Sequence, residues 1–127
     1  MSTVKVDAVE PRTASSTITI GAAASNLTTL TSAATITIDF NNNNNFKVTL
    51  AHNAAFANPS NPTAGQTGSI FITQDGTGSR TASWGSSWDF IGGTAPTLTT
   101  TAAGVDRIDY VILDSTNIQA VATLNYS

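Results

Sequence analysis

Alternation of apolar and polar residues with period two is the strongest local signal in this chain. Segments 36–40 (ITIDF) and 46–50 (FKVTL) each place an apolar residue at every second position. Such alternation is typical of strands that bury one face. Five asparagines (41–45) lie between these segments. Asparagine tolerates left-handed backbone, and its side chain can hydrogen-bond the backbone of its own turn. We therefore predict two strands joined by a hairpin loop.

Two further hairpins are predicted from turn residues between strand-like segments. Residues 69–73 and 79–84 flank Asp75-Gly76, and residues 107–114 and 119–126 flank a turn at 115–117. The remaining strand candidates are 3–9, 17–20 and 88–91.

Eight or nine short strands with frequent turns predict an all-β fold, an antiparallel sandwich of jelly-roll type with a short N-terminal arm. Composition agrees, because the chain holds 22 Thr, whose branched Cβ favours strands over helices. Residues 22–31 are the only segment with moderate helix tolerance, and we expect a loop or one short turn there.

A chain of 127 residues is expected to form one compact core. Residues 1–16 hold a dense set of charges followed by Pro11, and we interpret them as an arm preceding a β domain at 17–127. The arm could pair with its own sheet or add a strand to another chain. Residues 52–68 show no strand alternation, which leaves two interpretations: a crossover between sheets, or a contact surface for a partner.

Charge and composition argue against several classes of partner. The net charge is −3, and the five basic residues are scattered, whereas a nucleic-acid surface needs them clustered. No apolar stretch approaches the ~20 residues needed to cross a bilayer, so no membrane partner is expected. The chain has no cysteine, which excludes disulfides and thiolate metal ligands.

The sequence offers few candidates for catalysis or metal binding. The only histidine, His52, has no carboxylate among its neighbours, so we interpret it as a loop residue rather than a general base. Asp106 and Asp109 could in principle hold calcium, but nothing resembles the spaced acidic loop of a calcium motif. We expect no enzyme activity, no catalytic residues, no metal and no cofactor.

Trp84 and Trp88 lie four residues apart, and such a pair has two interpretations. Exposed aromatic rings can stack on sugars, which would make the pair a carbohydrate platform. Core packing is the commoner role, since each ring contributes a large apolar area.

A succession of short motifs resembles a β module found near the C-termini of bacteriophage fibre and other virion surface proteins. The resemblance spans about residues 35–127 and rests on 46–50 (FKVTL), 57–59 (ANP), 65–68 (GQTG), 72–81 (ITQDGTGSRT), 84–85 (WG) and 92–98 (GGTAPTL). It implies a non-enzymatic role in the virion, usually as a homotrimer. A long fibre shaft is absent, which favours a compact protein bound to the capsid or tail surface.

The resulting hypothesis is a capsid decoration or cement protein that self-associates as a homotrimer and contacts the major capsid protein or another virion protein. The alternative is a tail fibre or spike tip that binds host surface glycans. The candidate partner contacts come from the arm, the 52–68 interval and the tryptophan pair: Val4, Val6, Val9, Pro11, Phe56, Asn58, Pro59, Pro62 and Trp88.

Overall fold

The computed structural model describes residue 22 and residues 24–127, of which 47% lie in strands and 3% are helical. The prediction of an all-β chain is confirmed. The strands are β1 (Thr28–Thr29), β2 (Thr35–Ile36), β3 (Asn45–Leu50), β4 (Ala54–Phe56), β5 (Thr67–Gln74), β6 (Ala82–Trp84), β7 (Trp88–Phe90), β8 (Val105–Asp114) and β9 (Asn117–Tyr126). One 3₁₀ turn, Ile91–Gly93, follows β7.

The strands form two sheets. The larger sheet has six strands in the order β1-β3-β5-β8-β9-β7, and the smaller has three in the order β2-β4-β6. From β1 to β7 the chain therefore alternates between the sheets, placing each new strand in the sheet opposite the last. Because the chain returns to each sheet in the same direction, β1, β3 and β5 are mutually parallel, as are β2, β4 and β6.

The predicted antiparallel arrangement is wrong for most of the strand pairs that the structure describes. Among the strands of residues 24–127, antiparallel pairing occurs only between β5 and β8 and between β8 and β9, whereas β7 adds to β9 in parallel. The third predicted hairpin is confirmed, since β8 and β9 are joined by a tight turn. There, Asp114 accepts hydrogen bonds from Thr116 N and from the Asn117 side chain.

The first two predicted hairpins are wrong, because the segments that flank each turn lie in different sheets. Residues 41–44 carry the chain from the smaller sheet to β3, and the turn at Asp75-Gly76 carries it from β5 to β6. Both turns cross over the core. Their flanking segments therefore face each other through buried side chains and do not pair as neighbouring strands.

The asparagine crossover, residues 41–45, is held by hydrogen bonds with residues distant in sequence. The Tyr110 hydroxyl donates to the Asn44 carbonyl oxygen at 2.6 Å, and Gln66 Nε2 donates to Asn44 Oδ1 at 2.7 Å and to the Phe40 carbonyl at 2.9 Å. Asn45 Oδ1 accepts from Ser69 N at 3.0 Å. The asparagine run is thus an ordered connection pinned to β5 and β8.

Both sheets contribute to one hydrophobic core. Alternate residues of β3, β5, β8 and β9 point inward, and aromatic rings pack between the sheets. The largest fully buried apolar residues are Phe46, Phe56, Ile38, Leu50, Ile70, Ile72, Ile108, Ile112, Ile118 and Val48.

Two loops predicted from the sequence contain short strands. The 52–68 interval includes β4, which pairs with β2 and β6, and the 22–31 segment includes β1, which pairs with Phe46 and Lys47 of β3. Neither segment shows the alternation that predicts strands, because two- and three-residue strands are too short to display it. The predicted arm (1–16) and the predicted strands 3–9 and 17–20 lie outside the described residues.

Candidate functional site

Two of the predicted partner contacts are core residues. Phe56 is 1% exposed and Trp88 is 6% exposed, so neither can contact a partner from the surface of the folded chain. The 52–68 interval has no strand alternation, yet Phe56 lies on β4. Trp88 begins β7, within the predicted strand 88–91, and its side chain is buried. Burial of these large rings supplies much of the core that joins the two sheets.

The other predicted contacts lie on or near the surface, or outside the described residues. Asn58 is exposed, but its side chain organises the next turn: Oδ1 accepts from Ser87 N at 2.9 Å, and Nδ2 donates to Ser86 Oγ at 3.2 Å. Pro59 and Pro62 are partly buried. Val4, Val6, Val9 and Pro11 precede the described part of the chain.

The tryptophan pair packs inward. Trp84 stacks on Phe56 with ring centroids 4.5 Å apart and planes 12° from parallel, and it meets Trp88 edge to face at 5.2 Å. Trp88 Nε1 donates to the Ala57 carbonyl at 3.1 Å. One face of Trp84 is therefore covered by a core ring, and the two indoles do not form an open platform.

His52 lies on the surface and contacts a serine. The Ser32 hydroxyl lies 3.2 Å from His52 Nδ1, and the same oxygen accepts a hydrogen bond from Ala51 N at 2.8 Å. The pair is exposed and connects the ends of two loops. A nucleophile–base pair needs a third group that orients the base, and the only hydrogen bond described for the imidazole is the one with Ser32.

The two aspartates considered for calcium point to opposite faces of β8. Asp106 is buried and accepts hydrogen bonds from Thr99 N at 2.7 Å and Asn125 N at 2.9 Å. Asp109 lies on the outer face, where it accepts from the Ser69 hydroxyl at 2.6 Å. They cannot coordinate one ion, and no cluster of three acidic or histidine side chains suited to a metal occurs within the described residues.

The feature that stands out chemically is the outer face of the larger sheet at β7, β8 and β9. Four large apolar side chains project from it into solvent: Ile91, Val111, Leu113 and Val121, here called the apolar face. Val111 and Val121 are about half exposed, at 50% and 48%, while Ile91 reaches 79%. Single exposed apolar residues are ordinary, whereas several on one side of a sheet are typical of an interaction site.

A groove of about 510 Å³ runs along the apolar face. Its lining includes Val111, Val121 and Ile91, with Asp89, Gln119 and Asp109 at the polar positions. Strand register explains this grouping, because Val111 pairs with Gln119, which pairs with Asp89, and Asp109 pairs with Val121. Side chains directly opposite on neighbouring strands stand on the same face and within contact distance.

One charge on this face is neutralised within the chain. Arg107 Nε lies 2.9 Å from Asp109 Oδ1 and donates to Oδ2 at 3.0 Å. The guanidinium carbon also stands 5.3 Å from the centre of the Tyr126 ring, within the range of a cation–π contact. The Arg107–Asp109 pair therefore presents little net charge beside the groove.

The sequence contained a signal for the apolar face that the strand predictions left unused. Residues 110–113 (YVIL) are apolar at four consecutive positions inside an alternating strand. If Tyr110 and Ile112 point inward, Val111 and Leu113 must point outward. Such a break in alternation predicts an exposed apolar surface.

Comparisons of the chain with protein-family models, curated proteins and solved structures found no match. Within the described residues, no helix is long and apolar enough to cross a membrane.

Proposed function

We propose that this chain is a non-enzymatic structural protein of a bacteriophage particle, a capsid decoration or cement protein that works as a homotrimer bound to the major capsid protein or another virion protein. The apolar face is the observation that supports binding to other protein chains, since an exposed apolar surface on a sheet favours protein–protein association. The virion setting rests on the motif resemblance along residues 35–127.

Protein–protein contact suits the distribution of chemistry in the described chain better than catalysis does. Four of the six described acidic side chains, those of Asp39, Asp75, Asp106 and Asp114, hold turns or loops through hydrogen bonds that they accept. A carboxylate bonded in this way positions local backbone and is not free to act as a general acid or base. On the outer side of β8 and β9, the exposed residues include the apolar Val111, Leu113 and Val121.

A cement role agrees better with the packing of the tryptophan pair than the glycan-binding alternative does. Stacking on a sugar needs an open aromatic face, and Trp84 packs against Phe56 while Trp88 is buried. As the fold class, we propose a two-layer sandwich of mixed strand direction, in which the chain winds between the layers before the final hairpin. Such a rigid body suits a small protein that bridges neighbouring coat subunits.

Two measurements test this proposal. Light scattering after size exclusion of the purified protein should give a mass of three chains at micromolar concentration. Image reconstruction of purified virus particles that carry the protein should show it as a surface lattice with an icosahedral copy number. A stable monomer would contradict self-association, and density confined to a tail tip would contradict the cement role.

A further inference from the structure

The apolar face combines a projecting side chain with a concave surface. Ile91, on the 3₁₀ turn after β7, is the most exposed large apolar residue of the described chain, at 79%. The groove beside it, about 510 Å³, is lined by Val111 and Val121. A cavity of that size accepts a side chain readily, because clefts of about 300–1,000 Å³ hold whole drug-sized ligands. Each copy thus carries both a projecting side chain, Ile91, and a groove of a size that fits such a side chain.

The backbone around Ile91 leaves room for a close approach. Gly92 and Gly93 follow it with φ of +70° each, and a Cβ added at either would meet nothing within 4 Å. All residues from 91 to 95 are exposed. The turn therefore presents Ile91 to solvent without flanking side chains that would keep another surface away.

The charges near the groove favour an electrically neutral partner. Asp109 is already compensated by Arg107 and hydrogen-bonded by Ser69. A strongly basic partner would therefore find Asp89 as the one uncompensated acidic group among the described residues that line the groove. Identical surfaces brought together suffer repulsion wherever they place like charges opposite each other. This face avoids most of that penalty, which makes it suitable for contact between copies. In a ring of three the contact runs head to tail, with the Ile91 turn of one copy against the groove of the next.

We propose that the occupant of the apolar face is a second copy of this chain, with Ile91 of one copy seated in the neighbour's groove between Val111 and Val121. The inference rests on the proposed function, which requires self-association, and it assigns the surface that performs it. Leu113, on the same outer side of β8, extends the contact beyond the groove.

Cysteine pairing provides a direct test, because the natural chain contains no cysteine. Ile91→Cys and Val121→Cys are prepared as separate proteins that differ in length by a tag, then mixed and oxidised mildly. A mixed disulfide between the two lengths is expected. As the matched control, Leu27→Cys, an exposed leucine before β1, replaces Ile91→Cys in the mixture and should give at least tenfold less mixed disulfide.

Substitution provides a second test. Ile91→Asp is expected to raise the dissociation constant of the oligomer at least 100-fold, measured by light scattering across a dilution series. Leu27→Asp, which alters a leucine that is 45% exposed elsewhere, should change it less than twofold. Circular dichroism on each variant establishes that it is folded, since both positions are exposed.

The outcomes separate this inference from the proposed function. If the natural chain is a monomer at 100 μM, both the proposed self-association and this interface are wrong. A second outcome is that the natural chain is oligomeric, but Ile91→Asp leaves its mass unchanged and no mixed disulfide forms. In that case self-association stands and the assignment of this face is overturned.

Discussion

At the scale of single residues, Asp106 shows how a charged side chain can serve the fold. It is 2% exposed, and its two carboxylate oxygens accept one backbone N–H each, from Thr99 and from Asn125. Asn125 has φ of +63° at the irregularity between β8 and β9. Asp106 therefore fixes the loop before β8 and the distorted end of β9 at once.

Replacing Asp106 by Asn should destabilise the chain by about 2 kcal/mol, because an amide has only one acceptor oxygen and its NH₂ group would face a backbone donor. Urea unfolding at pH 7 measures this change. Asp89→Asn, at an exposed aspartate, is the matched control and should stay within about 0.5 kcal/mol of the natural chain. Equal effects at both positions would contradict the role assigned to Asp106.

The surroundings of Tyr110 predict how the stability of the fold changes at alkaline pH. Burial raises the pKa of its phenol above the ordinary value of 10.0, and the hydroxyl donates to the Asn44 carbonyl. The stability due to the neutral phenol is therefore complete below pH 10 and is lost as pH rises above it, because the unfolded chain ionises first.

Tyr110→Phe should accordingly cost about 1–2 kcal/mol at pH 7, since it leaves the Asn44 carbonyl without this donor. The difference in unfolding free energy between the natural chain and the variant should then shrink from pH 10 to pH 11.5. Urea titrations at four pH values measure it. A difference that stays constant over this range would show that Tyr110 ionises equally in both states.

Some residue-scale assignments could be read from the sequence, and others could not. Period-two alternation places Asp106 and Asp109 on opposite faces of a strand, so the spacing itself argues against a shared calcium ion. The burial of Phe56 had no such signal, because it lies on a three-residue strand whose partners, β2 and β6, are distant in sequence.

At the scale of elements, alternation predicted strands well and their pairing poorly. Segments 46–50, 69–73, 107–114 and 119–126 all lie within observed strands. The wrong predictions were the two hairpins around the turns at 41–45 and 75–76. A hairpin and a crossover between sheets both consist of two alternating segments around a turn, and the inward residues are the same in each. Only contacts with distant strands, such as β3 with β5, decide between them.

Gly68 gives a test of the asparagine crossover. A Cβ at this position would overlap the Asn44 carbonyl oxygen and lie 2.7 Å from the Tyr110 hydroxyl. Gly68→Ala should therefore destabilise the chain by about 2 kcal/mol through overpacking. Gly76→Ala is the control, because a Cβ there meets nothing within 4 Å, and its effect should stay within about 0.5 kcal/mol. Thermal unfolding of both variants compares them.

At the scale of the whole molecule, hydrogen-bonded aspartates govern the response to acid. The side chain of Asn61 lowers the pKa of Asp39, a hydrogen bond from Arg80 lowers that of Asp75, and the Thr116 backbone N–H lowers that of Asp114. General charge repulsion is a weak competing cause, because the chain has only five Lys and Arg residues and one His to become cationic.

A carboxylate whose pKa is lower in the folded state stabilises the chain above its unfolded pKa, and this contribution disappears as pH falls through the folded value. We therefore expect the free energy of unfolding to be nearly constant from pH 7 to pH 5 and to decrease once the pH drops below 3.8, the ordinary pKa of aspartate.

The triple variant Asp39→Asn, Asp75→Asn and Asp114→Asn should be less stable at pH 7 and show a flatter decline between pH 4 and pH 2.5. Asp89→Asn should retain the steep decline. Urea unfolding at half-unit pH intervals measures all three proteins. An equally steep decline in the triple variant would assign the acid sensitivity to other groups.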